Sequence, residues 1–547
     1  MCWTRRELLC SLLGVPLAAA GCNFSPSVEL PDGEIVGIDP NRGHRLRDRD
    51  PSRIVPSADA WQSKSVVIVG GGIAGLSAAW RLRQAGVDDF VLLELESAVG
   101  GTARSGQSPL TPYPWGAHYL PAPSRDNPAL LKLLDEMDLI EGSDAAGEPI
   151  FAEQHLCRDP QERLFYKGRW YEGLYLYAGA SSDDLAQFAQ FRQQMSALAA
   201  TRDAHGRRAF ALPMAGSSDD SETTALDRIS MDDWLVAQGF TSPRLKWLVD
   251  YSCRDDYGLH SAQTSAWAGI FYFASRSAAG DDSDERPLLT WPEGNGRIVK
   301  HLRRLSGPQL QCDLTVAEVA PRQVDGREQV DVVALDAAGA AARGFHARQV
   351  IFAAPQFLRK HILRDDPAVA ATGAFQYGSW LVANLHLTGR PQGAGYPLAW
   401  DNVFYDSPSL GYVVATHQRG PEMGPTVLTY YYPFCGVDPT AAHRQLFELD
   451  WPLCAELVLA DVSRVHPEIR SLTKRLDVMR WGHAMIQPRP GFIWGADRRS
   501  AIESQRGVHF ANTDLSGLAL FEEAFYRGIR AAEAALAGLG RPATSLL

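Results

Sequence analysis

The run Ser65-Val66-Val67-Ile68-Val69 leads directly into Gly70-Gly71-Gly72-Ile73-Ala74-Gly75. A short β-branched apolar run reads as a buried strand, and the residues after it, through about Gln84, read as a helix. Gly70, Gly72 and Gly75 satisfy G-x-G-x-x-G, with the strand before and helix after that give this pattern its meaning. Gly70 permits the tight turn out of the strand, Gly72 lets a pyrophosphate approach the backbone, and Gly75 lets the helix lie close to the sheet. A helix opening near Ile73 and Ala74 points unpaired N–H groups and partial positive charge at the phosphates. A second apolar run, Phe90 to Leu93, ends at Glu94, nineteen residues past Gly75. An acid about 20 residues on is the one that holds a ribose hydroxyl. The alternative, a glycine-rich turn without a ligand, leaves Glu94 unexplained.

With 547 residues the chain exceeds one ordinary core, so two interleaved domains are expected. Apolar residues at 45% and charged residues at 21% describe a globular protein. A formal charge of −11, without a long Lys/Arg run, offers no surface for nucleic acid. Thr4-Arg5-Arg6-Glu7-Leu8-Leu9 is a twin-arginine pattern, and Leu8 to Gly21 is apolar but interrupted by Pro16 and short for a membrane span. Ala19-Ala20-Gly21-Cys22 resembles a bacterial lipoprotein cleavage site, with Cys22 as the lipid anchor. Residues 1–22 are thus expected to be a leader that exports the folded chain to the periplasm or cell envelope. An ordinary secretory signal is the other reading of Arg5-Arg6. Residues 23–62, rich in Pro, Asp, Arg and Ser, read as a tether. Cys157, Cys253, Cys312, Cys435 and Cys454 are scattered, with no metal-ligand spacing; most read as buried apolar side chains, and a disulfide in an exported protein is the other reading.

Beyond Glu94 comes Gly100-Gly101-Thr102-Ala103-Arg104, and later Trp115-Gly116-Ala117-His118-Tyr119. Leu314 to Val319 and Gln349 to Pro355 read as strands, and Gly507-Val508-His509-Phe510-Ala511-Asn512-Thr513-Asp514 as a final strand and turn. Phe521-Glu522-Glu523-Ala524 then opens a last helix carrying Gly528 and the pair Ala531-Ala532. In this order the segments resemble the flavin-containing amine oxidase superfamily, which includes monoamine, polyamine and L-amino-acid oxidases. The resemblance runs from about Lys64 to Leu536 and is thin between about 150 and 285. It implies an α/β protein with a Rossmann-like FAD-binding domain built from discontinuous segments (63–120, 287–358 and 470–547). A mixed-sheet and helical substrate domain takes 121–286 and 359–469.

The resemblance also implies FAD contacts at Gly70, Gly72, Ile73, Ala74, Gly75, Glu94, Gly100, Gly101, Arg104, Val316, Ala354, Asp514, Phe521 and Glu522. Arg104 stands two residues later than the family's arginine. Non-covalent FAD is expected, because no cysteine lies near Pro490-Gly491-Phe492 where monoamine oxidases attach theirs. Two family features are missing. Val382 occupies the position of a lysine that holds a water near the flavin, and Leu520 replaces half of an aromatic cage. His118, His483 and Trp481 are the candidates for a polar or catalytic role; each is also compatible with ordinary core packing. The residues Arg254-Asp255-Asp256 read as a structural ion pair.

The expected function is hydride transfer to flavin from a small molecule, with an amine, polyamine or amino acid favoured by the resemblance. The electron acceptor is oxygen or a redox partner. A desaturase or isomerase on an apolar substrate, suggested by Val382 and Leu520, and a non-catalytic flavin-binding protein are the competing readings. NAD is a competing cofactor, since the fingerprint admits either.

Overall fold

The computed structural model describes residues 30–48, 55–276, 286–420 and 423–547. The twin-arginine and Cys22 readings fall outside them. Strand β1 (Trp61–Val69) leads into helix α1 (Ile73–Gln84), and β2 (Phe90–Leu93) returns parallel beside β1, pairing Val66 with Phe90 and Val69 with Leu93. Val66, Val67 and Ile68 are fully buried, as a strand covered on both faces must be. On its other edge β1 pairs in parallel with β3 (Ala342–Phe352). The first half of β3 closes an antiparallel meander with Arg327–Asp336 and Leu314–Val324, and its last residues pair in parallel with Val508–Phe510. With Leu310–Gln311 beside β2, these form one seven-stranded sheet.

The second sheet has eight strands, and its centre is β4 (Tyr377–Leu387) between β5 (Thr426–Pro433) and β6 (Thr473–Ile486), all antiparallel. Period-two alternation sorts their side chains. Leu381, Ala383 and Leu385 of β4, with Tyr430 and Val478, join the core beneath helices Pro439–Glu448 and Trp451–Ser463. Trp380, Val382, Tyr431, Met479 and Trp481 face the opposite way. A separate helical core forms around Ser182–Ala200, Met231–Ala237, Pro243–Tyr257 and Ala266–Ala274.

Two boundaries differ from the sequence reading. Strand β6 was expected in the cofactor domain, but its edges pair with β4 and with Ile35–Val36 in the second sheet. Residues 30–48 were expected to be a tether. Instead Ile35 and Val36 add a parallel edge at Val478 and Met479, and a helix follows at Pro40–Asp48. Arg42 Nη1 donates to Asp313 Oδ1 at 2.6 Å and to the Leu95 carbonyl at 3.0 Å, which ties this strap to the first sheet. Proline and charge density had suggested a solvated chain; the ordering comes from partners distant in sequence. Cys157, Cys253, Cys312, Cys435 and Cys454 are free thiols. Among the described residues no helix is long and apolar enough to cross a membrane.

Helix α2 (Phe521–Gly538) packs across α1. A Cβ at Gly528 would lie 2.2 Å from the Ala74 carbonyl oxygen, and one at Gly75 would lie 1.9 Å from the Gly70 carbonyl oxygen. Both glycines are therefore set by close backbone approach. Gly528→Val is expected to cost about 3 kcal/mol or more through overpacking, read as a lower thermal midpoint and reduced flavin content. A variant as stable as the parent would show that the helices do not cross there.

Candidate active site

A cavity of about 650 Å³ lies along the end of the first sheet. Gly70, Gly72, Ile73, Ala74, Glu94, Gly100 and Gly101 line it from the chain's first third, and Val316, Ala354, Asp514 and Phe521 from its remainder. Gly75 sits behind the wall, where it permits α1 to approach β1. The first turn of α1 has no side-chain cap, since its N-cap is Gly72, so its N–H groups are left for a ligand. A Cβ at Gly72 would meet no protein atom within 4 Å, as expected where the backbone borders open space. Glu94 Oε2 accepts from the Gly71 N–H at 2.7 Å, and Oε1 from the Glu96 N–H at 2.9 Å. Each oxygen keeps a lone pair for a hydroxyl donor.

Two expected contacts lie elsewhere. Arg104 is not on this wall; its Nη2 donates to the Ala98 carbonyl at 3.1 Å, and it influences the site only through its charge near Glu94. Thr102, in the position of the family's arginine, lines the wall instead. Glu522 turns away into a second cavity. Asp514 is on the wall, but its Oδ2 already accepts from the Gln356 N–H at 2.8 Å and the Tyr377 hydroxyl at 2.6 Å. Burial pushes this carboxyl up to about 6. Pro40, Gly43, His44 and Leu46 of the strap close one side of the cavity. His483 lines it too, stacked on Phe357 at 4.3 Å between ring centroids, with burial and the neighbouring His443 and His44 holding it down to about 4.

The second cavity, about 140 Å³, shares Thr102, Ala117, Trp481, Leu520 and Phe521 with the first, so the two adjoin. Trp380, Val382, Tyr431 and Trp481 make one wall, presented by the alternation of β4, β5 and β6. Trp481 is held by its Nε1 donating to the Trp115 carbonyl at 2.7 Å. His118 lies in this cavity, not the first, with its ring 4.8 Å from that of Tyr431. Its Nδ1 is 3.2 Å from the Gly116 carbonyl, and burial pushes its pKa down to about 4, so the imidazole is neutral near pH 7. With Nδ1 donating, Nε2 is an acceptor.

The far wall is acidic. Asp255, Asp256 and Glu522 line it against one guanidinium, Arg276. Asp256 Oδ2 pairs with Arg276 Nη2 at 2.6 Å. Burial, then the charges of Asp256 and Asp401, push Asp255 well above the usual carboxylate range. The expected pairing of Arg254 with these acids is not formed. Arg254 Nε donates to Asp250 at 3.0 Å, one helical turn back, and Nη1 to the Pro408 carbonyl at 3.2 Å. A third, smaller chamber continues past His118, Tyr119, Asp255 and Arg276 to Tyr251, Trp400 and Asp401. Arg276 and Asp401 carry no sequence motif and were not anticipated. Trp380 could have been found from Val382, since residues two apart share a strand face.

A cradle for a dinucleotide, opening onto a cavity with aromatic walls and buried carboxyls, defines a flavin-dependent oxidoreductase. The chain belongs to the family described as flavin containing amine oxidoreductase, which it matches over residues 73–536. An engineered triple mutant of putrescine oxidase has the same fold, with a TM-score of 0.65 at 17% identity, covering 87% of this chain and 99% of that one. Cyclohexylamine oxidase from Brevibacterium oxydans gives 0.61 at 14%, covering 88% and 100%. A CLA-producing fatty acid isomerase from P. acnes gives 0.58 at 16%, covering 85% and 97%. At these identities the likeness is one of fold. A Baeyer-Villiger monooxygenase of Streptomyces coelicolor is 50% identical over 44 residues, only 8% of each chain.

The cavity fits FAD. The uncapped start of α1 suits a pyrophosphate, and Glu94 suits a ribose. Glu94→Ala is expected to lower flavin occupancy at least several-fold, and Arg42→Ala to speed flavin release by loosening the strap. Absorbance ratios and the fluorescence of released FAD measure both. Full retention in both variants would refute the assignment.

Proposed function

We propose that the protein oxidises a small amine, with FAD held non-covalently as the acceptor of a hydride from the carbon bearing nitrogen. The observation that carries this reading is the group of buried carboxyls, outnumbering Arg276, in a cavity that opens on the cofactor cavity. A carboxylate in a low-dielectric site is stabilised by a cation far more than it would be in water. Bound flavin supplies the electron sink for a pair leaving with hydrogen from the substrate carbon. The side chains orient the substrate. Trp380, Tyr431 and Trp481 flank its carbon chain, the acids hold its nitrogen, and neutral His118 offers an acceptor. The bound ammonium first passes a proton to one of these carboxylates or to His118 Nε2; loss of hydride from the neutral amine then leaves an iminium ion, which water converts to a carbonyl compound and ammonium.

A second reading rests on Val382 and Leu520, which make part of the same cavity apolar. It assigns an apolar substrate to a desaturase or isomerase, and the fold likeness to a fatty acid isomerase is compatible with it. Anaerobic mixing of the yellow protein with small amines, amino acids and unsaturated fatty acids separates these readings. Bleaching by an amine is the expected result, and peroxide on readmitting air identifies oxygen as acceptor. Isomerised fatty acid with unbleached flavin would establish the alternative. A flavin that no candidate reduces or turns over would leave a binding protein.

The leader supports export by the twin-arginine route and anchoring through Cys22. Replacing Arg5 and Arg6 by Lys is expected to retain the protein in the cytoplasm, and Cys22→Ser to release it from membranes. Unchanged fractionation of both variants would overturn the localisation.

A further inference from the structure

Glu522 is the second residue of α2 and is only 4% exposed. Its Oε1 has no hydrogen-bond partner. It lines the second cavity between Phe521, which also faces the cofactor cavity, and the acids Asp255 and Asp256. The one cation on this wall, Arg276, is already engaged by Asp256 at 2.6 Å. The neighbouring Glu523 points away, with its Oε1 accepting from the Met214 N–H. Glu522 is thus a buried carboxyl with an idle oxygen at the junction of the two cavities.

We propose that Glu522 is the substrate-binding residue that receives the ammonium group, its free oxygen accepting an N–H of the cation beside the flavin end of the cavity. This rests on the amine reading above. The position accounts for the idle oxygen, which has no structural task in the protein alone. It also reassigns a residue that the sequence pattern had given to the cofactor.

Proton linkage follows. Burial raises Glu522 to about 7, with Arg276 lowering it and Glu523 and Asp256 raising it. Asp255, neutral His118 and the phenols of Tyr119 and Tyr431 complete the titratable groups lining this space. A bound cation favours the carboxylate, so cation binding below about pH 7 releases the Glu522 proton, and affinity rises with pH through that region.

The test uses the holoenzyme and tert-butylammonium, which stays cationic from about pH 5.5 to 8.5 and has no hydrogen on the carbon bearing nitrogen. It is measured as a competitive inhibitor of the amine that bleaches the flavin, with neutral tert-butanol as control. For the parent, Ki should tighten about tenfold or more as pH rises across this range, while the alcohol's Ki stays flat. E522Q should keep its flavin, bind the ammonium about tenfold or more weakly at the upper pH, and lose the pH dependence; E522D should restore part of it. Ki within about twofold of the parent, an unaltered pH dependence in E522Q, or no inhibition of the parent overturns the proposal. Should E522Q fail to hold flavin, a flat Ki profile in the parent overturns it alone and a titrating one, absent for the alcohol, sustains it. Amine bleaching combined with any overturning result leaves the amine reading standing, whereas failure of every amine to bleach removes that reading first.

Discussion

Everything in this molecule depends on how closely helices α1 and α2 cross. Gly528 meets the carbonyl of Ala74, and Ala74 is itself part of the cofactor wall. No side chain larger than hydrogen fits at the crossing, so the separation of the two helices is set by backbone contact. That separation fixes the start of α2, where Phe521 borders both cavities and Glu522 borders only the second. The Asp514 carboxylate then ties the final turn to Gln356 at the exit of the first sheet and to Tyr377 at the start of the second. A segment near the end of the chain thereby sets the spacing between cofactor and substrate spaces.

The electrostatics of the second cavity follow from that spacing. Asp255, Asp256 and Glu522 are brought out of water with one guanidinium among them. Two charged groups can pair, and Asp256 and Arg276 do. The remaining carboxyls have no counterion on the wall, and burial holds both above their ordinary range. For Glu522 the shift from 4.5 to about 7 corresponds to roughly 3 kcal/mol against ionisation. Arg276 offsets only part of this cost. His118 cannot relieve it, because burial keeps its imidazole neutral.

The legible part of this architecture was the part made of short local patterns. The strand, the three glycines and Glu94 are contiguous enough to impose their own geometry, and the structure places Gly70, Gly72 and Glu94 together on one wall with Gly75 behind it. Gly528 and Asp514 could be read only because their segments recur in order along the chain. Arg276 could not, because its partner lies on another helix and no spacing rule connects them. The strap at residues 30–48 was misread for a related reason. Its Pro, Arg and Asp content signals solvent in isolation, yet Arg42 finds Asp313 and Ile35 finds Val478 across long sequence separations. Arg104 failed in the opposite direction: a residue type in nearly the right place was credited with a contact that a displacement of two positions removes.

Val382 and Leu520 bear on how selective such a cavity can be. They leave one side of the space apolar while the other holds Asp255 and Glu522, both raised above the ordinary carboxylate range by burial. A neutral carboxyl tolerates an apolar neighbour far better than a carboxylate does, so acids raised in this way set no large barrier to an uncharged ligand. Preference for a cation must come from its Coulomb attraction to a carboxylate, which has to exceed the cost that burial sets against Glu522 ionising. Asp255, raised by burial and then by Asp256 and Asp401, is the second carboxyl on the wall that a cation would favour in its ionised form. The pairing of Asp256 with Arg276 has a purpose in this scheme. By neutralising one acid permanently, it keeps the cavity from demanding more positive charge than a small amine carries.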